Sequence, residues 1–346
     1  MSEPWWRPDR LAQRRDNLAA RGRILTAVRE FFTTGGYIEV ETPVLQISPG
    51  LEPHLKAFKT TLHDARDGTA RPFYLHTSPE FAMKKLLAGG LPRIWQLAHV
   101  FRDGEHSATH HPEFAMLEWY RAEASYRDLM EECEALLRQI QVAAGCSELR
   151  WQGRTADVNR AWERLTVAEA FERYTGIDIL GTIDDPVRPQ PRQLAGAAAA
   201  IGIAPHPGDD WETLFFRVFL ERIEPQLGVG VPTILYDYPL SMAALSRRKP
   251  EDSRLAERFE LYVCGVELAN GFGELTDARE QRRRFVAEMD EKERIHGERF
   301  PIDEDFLAAL SQMPDASGVA LGFDRLVMLA TGAPSIDHVI WTPMAR

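Results

Sequence analysis

The sequence predicts an α+β fold, on two observations. Residues 99–120, HVFRDGEHSATHHPEFAMLEWY, read as strand, polar loop and strand, and residues 58–77 read as a second hairpin. Elsewhere apolar residues recur at helical spacing in long segments that stand apart from the hairpins.

The elements follow in chain order. Residues 16–34 predict an amphipathic helix, because Ile24, Leu25, Val28, Phe31 and Phe32 share one face, and Gly35-Gly36 stop it. Residues 37–45 then read as a strand and 47–54 as a loop. Residues 78–90 predict a helix capped by Ser78 and closed by Gly89-Gly90. The 99–120 hairpin follows, its second strand starting at Pro112. Residues 125–145 form a long helix ending at Gly145. Residues 146–231 read as a mostly helical insertion, with a Pro-rich loop at 183–191 and an apolar helix ending near Gly202. A strand covers 232–239, and 251–271 pass from helix to strand. In ELANGFGELTD (267–277), Glu267 and Glu274 flank a Gly-rich turn. Residues 278–297 are a charged helix, and 318–332 run from a Gly-rich strand through Asp324-Arg325 into an apolar helix.

Composition bounds the function. A chain of 346 residues can bury a large core, and the length alone allows two domains; the pattern reads as one. A net charge of −11 argues against a polyanionic partner, which Lys and Arg would have to neutralise. Cys133, Cys146 and Cys264 are odd in number, widely spaced and without a metal-ligand pattern, so reduced thiols and a cytoplasmic location are expected. No signal peptide or membrane span is read; the apolar stretch 194–205 is too short and Gly-rich.

The chemistry sits in three segments. On the second strand of the 99–120 hairpin, Phe114, Met116, Glu118 and Tyr120 alternate onto one face, with Arg102 at the lip. An aromatic and carboxylate face suits a nucleotide base and a cationic substrate. Arg102 and Arg325 suit the two ends of a bent triphosphate, because guanidinium grips phosphate and does not titrate away. Carboxylates at Glu267 and Glu274 suit Mg²⁺ bound together with substrate phosphates. Asn270, Phe272 and Glu274 face one way if extended. The three histidines His106, His110 and His111 lack a matching second ligand set, so no metal site is read there.

These residues carry a resemblance to the class II aminoacyl-tRNA synthetases. Arg102 with Phe114 resembles motif 2, Gly322 with Arg325 resembles motif 3, and FFTTGGYIEVETPVL (31–45) resembles motif 1. ELANGFGELTD narrows the resemblance to the lysyl-tRNA synthetase branch, over about residues 20–340. Motif 1 comes after only some twenty residues, too few for the anticodon-reading OB-fold of that branch. The chain is therefore similar to its truncated paralogues, which join (R)-β-lysine to a lysine of elongation factor P. Ser78, Ala320 and Trp119 fit those paralogues, where the tRNA enzymes usually carry Ala and Gly at the first two positions.

The resemblance implies a mostly antiparallel sheet flanked by helices, with residues 1–20 as an extension, 21–346 as the catalytic domain and no anticodon-binding domain. It implies ATP and Mg²⁺, a lysine or β-lysine substrate, elongation factor P as acceptor, little role for tRNA, and a homodimer built through motif 1. The ATP set would be Arg102, Asp103, Gly104, His111, Phe114, Glu267, Leu268, Gly322 and Arg325, with Arg102 and Arg325 catalytic. The amino-acid set would be Ser78, Glu80, Glu118, Tyr120, Asn270, Phe272, Glu274 and Ala320. Two positions depart from the pattern. His111 stands where the family has Asn, and Arg102-Asp103-Gly104-Glu105 shifts a carboxylate by one place. Either Glu105 or the backbone at Gly104 then meets adenine. Ala320 is expected to favour β-lysine, because its methyl occupies the room of an α-amino group.

Overall fold

The structure, a computed structural model, describes residues 4–243 and 245–344. Helix α1 spans Pro8–Thr34, followed by short strands β1 (Ile38–Glu39) and β2 (Leu45–Gln46). Strands β3 (Lys59–His63) and β4 (Ala70–Leu75) form the first hairpin. Helix α2 (Glu80–Ala88) leads into β5 (Arg93–Phe101) and β6 (Glu113–Ala122), then α3 (Tyr126–Ala144). The insertion holds β7 (Leu149–Trp151), β8 (Arg154–Ala156), β9 (Glu163–Thr166), α4 (Val167–Thr175), α5 (Pro191–Ala200) and α6 (Trp211–Val218). Strands β10 (Thr233–Pro239), β11 (Leu255–Val263) and β12 (Val266–Gly273) follow. The chain closes with α7 (Ala278–His296), α8 (Glu304–Leu310), β13 (Ala316–Gly322) and α9 (Phe323–Thr331).

Eight strands make the central sheet in the order β1-β5-β6-β13-β12-β11-β10-β9. Only the outermost pairs, β1 with β5 and β10 with β9, are parallel. The α+β expectation and the mostly antiparallel sheet are therefore borne out. Because side chains alternate along a strand, each strand gives one set to each face. Trp95, Leu117, Trp119, Val319 and Leu321 enter the main core, where Phe32 stacks on Trp95 at 5.0 Å. That core lies beneath α1, α3 and α9. The opposite face of the sheet carries polar side chains beside smaller apolar clusters that include Ile94, Tyr120 and Met116.

Several boundaries differ from the sequence reading. Helix α1 starts at Pro8, because proline suits the first helical turn, so most of the supposed extension is helix. Its buried Arg14 donates to the carbonyl of Ile340, which ties this end to the C-terminal segment. The insertion is mixed: β9 joins the main sheet, and α4–α6 pack on their own core around Trp211 and Phe215. Residues 251–271 hold no helix. They form a β11–β12 hairpin around Cys264 and Gly265, both at positive φ (56° and 74°). Such a pair matches the twist of a two-residue hairpin turn.

Candidate active site

Register builds the site. Gln96, Glu118, Ala320, Asn270 and Glu260 lie abreast across β5, β6, β13, β12 and β11. The next row is Ile94, Tyr120, Gly318, Phe272 and Arg258. Both rows belong to the face opposite the main core. Gly318 is small for a reason: a Cβ there would run into the Tyr120 ring and Glu274 Oε1. The glycine lets those two side chains approach each other across β13.

At one end of these rows the site is acidic. Glu118 is 0% exposed, and its two oxygens accept from Ser78 Oγ at 2.6 Å and the Tyr120 hydroxyl at 2.8 Å. Burial, aided by the charge of Glu80, pushes the Glu118 carboxyl up to about 8. Ser78 Oγ also accepts from the Glu80 amide at 3.0 Å. The cap position of α2 is Pro79, without a side-chain capping bond, so Ser78 stands one residue ahead of the actual cap and serves as site wall. Lys84, one turn along α2, is ion-paired with Glu80 and lies 2.6 Å from Glu274. Burial alone would lower the Lys84 ammonium; the charges of Glu274 and Glu80 more than offset this and raise it. Sequence reading missed Lys84, although its i,i+4 spacing from Glu80 was visible. Asn270 Oδ1 is buried and has no hydrogen-bond partner within the described protein, leaving it free for a ligand.

The opposite end is basic. Arg325 Nη1 donates to the Glu267 carbonyl at 2.8 Å, and its Nε donates to the Thr109 carbonyl at 3.2 Å. Its Nη2 meets His110 Nε2 at 2.7 Å. An arginine can only donate, so His110 Nε2 accepts and the ring is neutral. Burial and then the Arg325 charge hold the His110 pKa below its usual range. Gly322 sits under the aliphatic part of Arg325, where a Cβ added to the glycine would lie 3.4 Å from Arg325 Cδ. The Arg102 guanidinium lies over the Phe114 ring, 5.2 Å from its centroid, and 4.0 Å from Glu105. Asp103 and Gly104 are exposed on the loop, and the Asp103 amide bonds the Lys56 carbonyl at 2.9 Å.

Three expected contacts need correction. Residues 267–273 are extended strand, not a turn, so Glu267 and Glu274 stand up to about 23 Å apart at roughly 3.3 Å per residue. One Mg²⁺ cannot touch both, and Glu274 is engaged by Lys84 instead. The acid beside Glu267 is Glu260, whose charge adds to burial in raising the Glu267 carboxyl. His111 is buried, with Nδ1 on the Glu113 carbonyl and Nε2 accepting from the Met344 amide at 3.3 Å. Neither nitrogen is left for ATP, and the neighbouring His110 faces the site. Leu268 puts its side chain into the main core, so only its backbone can meet a nucleotide.

The sequence profile of tRNA synthetases class II (D, K and N) matches residues 6–346. The chain belongs to the class II tRNA synthetase family. Relatives within it include a Sodalis glossinidius protein, 42% identical over 329 residues, and a Haemophilus influenzae (strain PittGG) protein, 40% identical over 325 residues; each match covers 94% of both chains. An Avibacterium paragallinarum protein is 39% identical over 341 residues, 98% of both chains. All three are named elongation factor P–(R)-β-lysine ligase. For a class II synthetase, the basic end of the site is the expected place for the triphosphate and the acidic end for the amino acid. ATP use follows from membership. Among the described residues no helix is long and apolar enough to cross a membrane.

Proposed function

We propose that this chain activates (R)-β-lysine with ATP and transfers it to a lysine side chain of elongation factor P. The observation that carries the reading is the buried acidic pocket of Glu118, Glu80 and Glu274 on the sheet face that also presents Arg102 and Arg325. Such a pocket takes a diammonium ligand and rejects neutral isosteres, which would strand its charges. Relatives of near-equal length bear the name of that ligase, which supports the same reading.

Arg102 would hold the α-phosphate and Arg325 the γ-phosphate. Glu267 is the carboxylate suited to Mg²⁺; Glu260 beside it is already engaged by Arg258, Tyr238 and Tyr262. No group of three or more His, Cys, Asp or Glu side chains is arranged for a metal among the described residues, so an ion would take most of its ligands from phosphates and water. Bound there, it would offset phosphate charge. The β-lysine carboxylate attacks the α-phosphorus in line, the bond to the β-phosphate oxygen breaks, and pyrophosphate leaves. The acceptor amine then attacks the acyl carbon, loses its proton, and releases AMP. No protein nucleophile is required; the site acts by positioning and charge.

The test is mass spectrometry of elongation factor P after incubation with the chain, ATP and either lysine isomer. A gain of one β-lysyl group on one lysine is expected. Charging of lysine tRNA with no change to the factor overturns the reading.

A further inference from the structure

The acidic pocket contains a cation of its own. Lys84 is 1% exposed and bridges Glu80, on its own helix, to Glu274 at the end of β12. Glu118 does not share this cation; its oxygens are taken by Ser78 and Tyr120. Without a ligand Glu118 keeps its proton up to about pH 8; once all three carboxylates are ionised against one ammonium, the pocket carries two negative charges. A β-lysine molecule brings two ammonium groups, which complement that charge.

We infer that Lys84 is a positioning residue that sets the charge of the amino-acid pocket, bridging Glu80 and Glu274 so that the two acids share one cation and stay in place for a substrate with two ammonium groups. The inference rests on the proposed function. Lys84 is paired with both acids and 1% exposed, so it acts through them rather than on the substrate. Removing it would leave Glu80 and Glu274 facing each other with no cation between them. Two close carboxylates in a buried site cannot both stay ionised, so the pair would take up a proton. Other charges around them do not replace Lys84. Glu52 and Glu288 also act on this cluster and add negative charge, and burial already raises both. Arg247 acts on Glu274 but is engaged with Glu257 at 2.7 Å. Tyr120 stays protonated, held well above its ordinary range by burial and Glu118.

The decisive measurement is the number of protons released when β-lysine binds the full chain, read by titration calorimetry at about pH 8, above the value of about 7 to which burial raises the Glu274 carboxyl, in two buffers of different ionisation enthalpy. The Lys84 charge also lowers the Glu118 carboxyl, so parent and variants are compared in a Glu118→Gln background as well, where that proton is absent. Lys84→Met is expected to release about one proton more per ligand than the parent, because the diammonium ligand displaces the proton held by the acid pair. Lys84→Arg keeps the charge and should release the parent number. Lys84→Gln is neutral but can hydrogen-bond both acids; it should release the extra proton and serves where Lys84→Met does not fold. Equal proton release by the parent and a folded neutral variant overturns the inference, since a purely structural bridge would weaken binding without changing the count. If the parent binds neither lysine isomer, the proposed function fails instead.

Discussion

At the scale of single residues, the two ends of the site make separable predictions. Arg325 is aimed by three contacts and has no role in the main core, so its loss should fall on chemistry. Arg325→Ala should lower lysine-dependent pyrophosphate exchange by about 10²-fold or more, the scale of one preorganised charge-stabilising group. A folded variant with an unchanged rate would remove Arg325 from the mechanism. Glu118 predicts a pH dependence of stability. Its carboxyl titrates near about 4.3 in an unfolded chain and at about 8 in the fold. Between those values the folded chain holds the extra proton, so this contribution is complete below the lower value and is lost as pH rises through the upper one. Urea midpoints without ligand should therefore fall between about pH 5 and about pH 8, and Glu118→Gln should flatten that fall. Identical slopes for the two proteins would place the titration elsewhere. Arg102, Glu118, Tyr120 and Arg325 were legible from alternation and charge alone. Lys84 and Glu260 were not, because a buried ion pair looks in sequence like a solvated one.

At the scale of elements, the hairpins and the long helices were legible, and the glycines misled. Gly271 and Gly273 sit in an extended strand because side chains lie where their Cβ atoms would be: the Phe259 ring beneath one and Glu257 beneath the other. Read without neighbours, the same glycines suggested a turn, and that error placed Glu267 and Glu274 on one ion. The true turn, Cys264-Gly265, carried no Asn-Gly or Asp-Gly signal. Strand β13 offers the matching test. Gly318→Ala should push Tyr120 and Glu274 apart, with an overpacking cost of about 1–3 kcal/mol. Its KM for the amino acid should rise at least tenfold, with the KM for ATP close to the parent value. A parallel rise in both would mean that the sheet, rather than the pocket, had moved.

At the scale of the molecule, assembly is the open quantity. Ile38, Leu45 and Ile47 are large, apolar and exposed along the segment after α1 that resembles motif 1. A two-fold contact there would bury them against their own copies. Sedimentation should show a dimer at micromolar concentration, and Ile38→Asp should shift it toward monomer. A monomeric parent chain would refute the assignment. Helix α1, which leads into that segment, connects to the site through Asp324. This buried carboxylate accepts from the Ala115 amide at 2.8 Å and is ion-paired with Arg21 of α1. Helix α9 is thus pinned to β6 on one side and to α1 on the other, and the residue after the pin is Arg325. The aim of Arg325 is consequently set from behind the sheet: a tilt of α1 would be passed through Asp324 to the basic end of the site, while the acidic pocket at α2 has no such link to the first helix among the described residues.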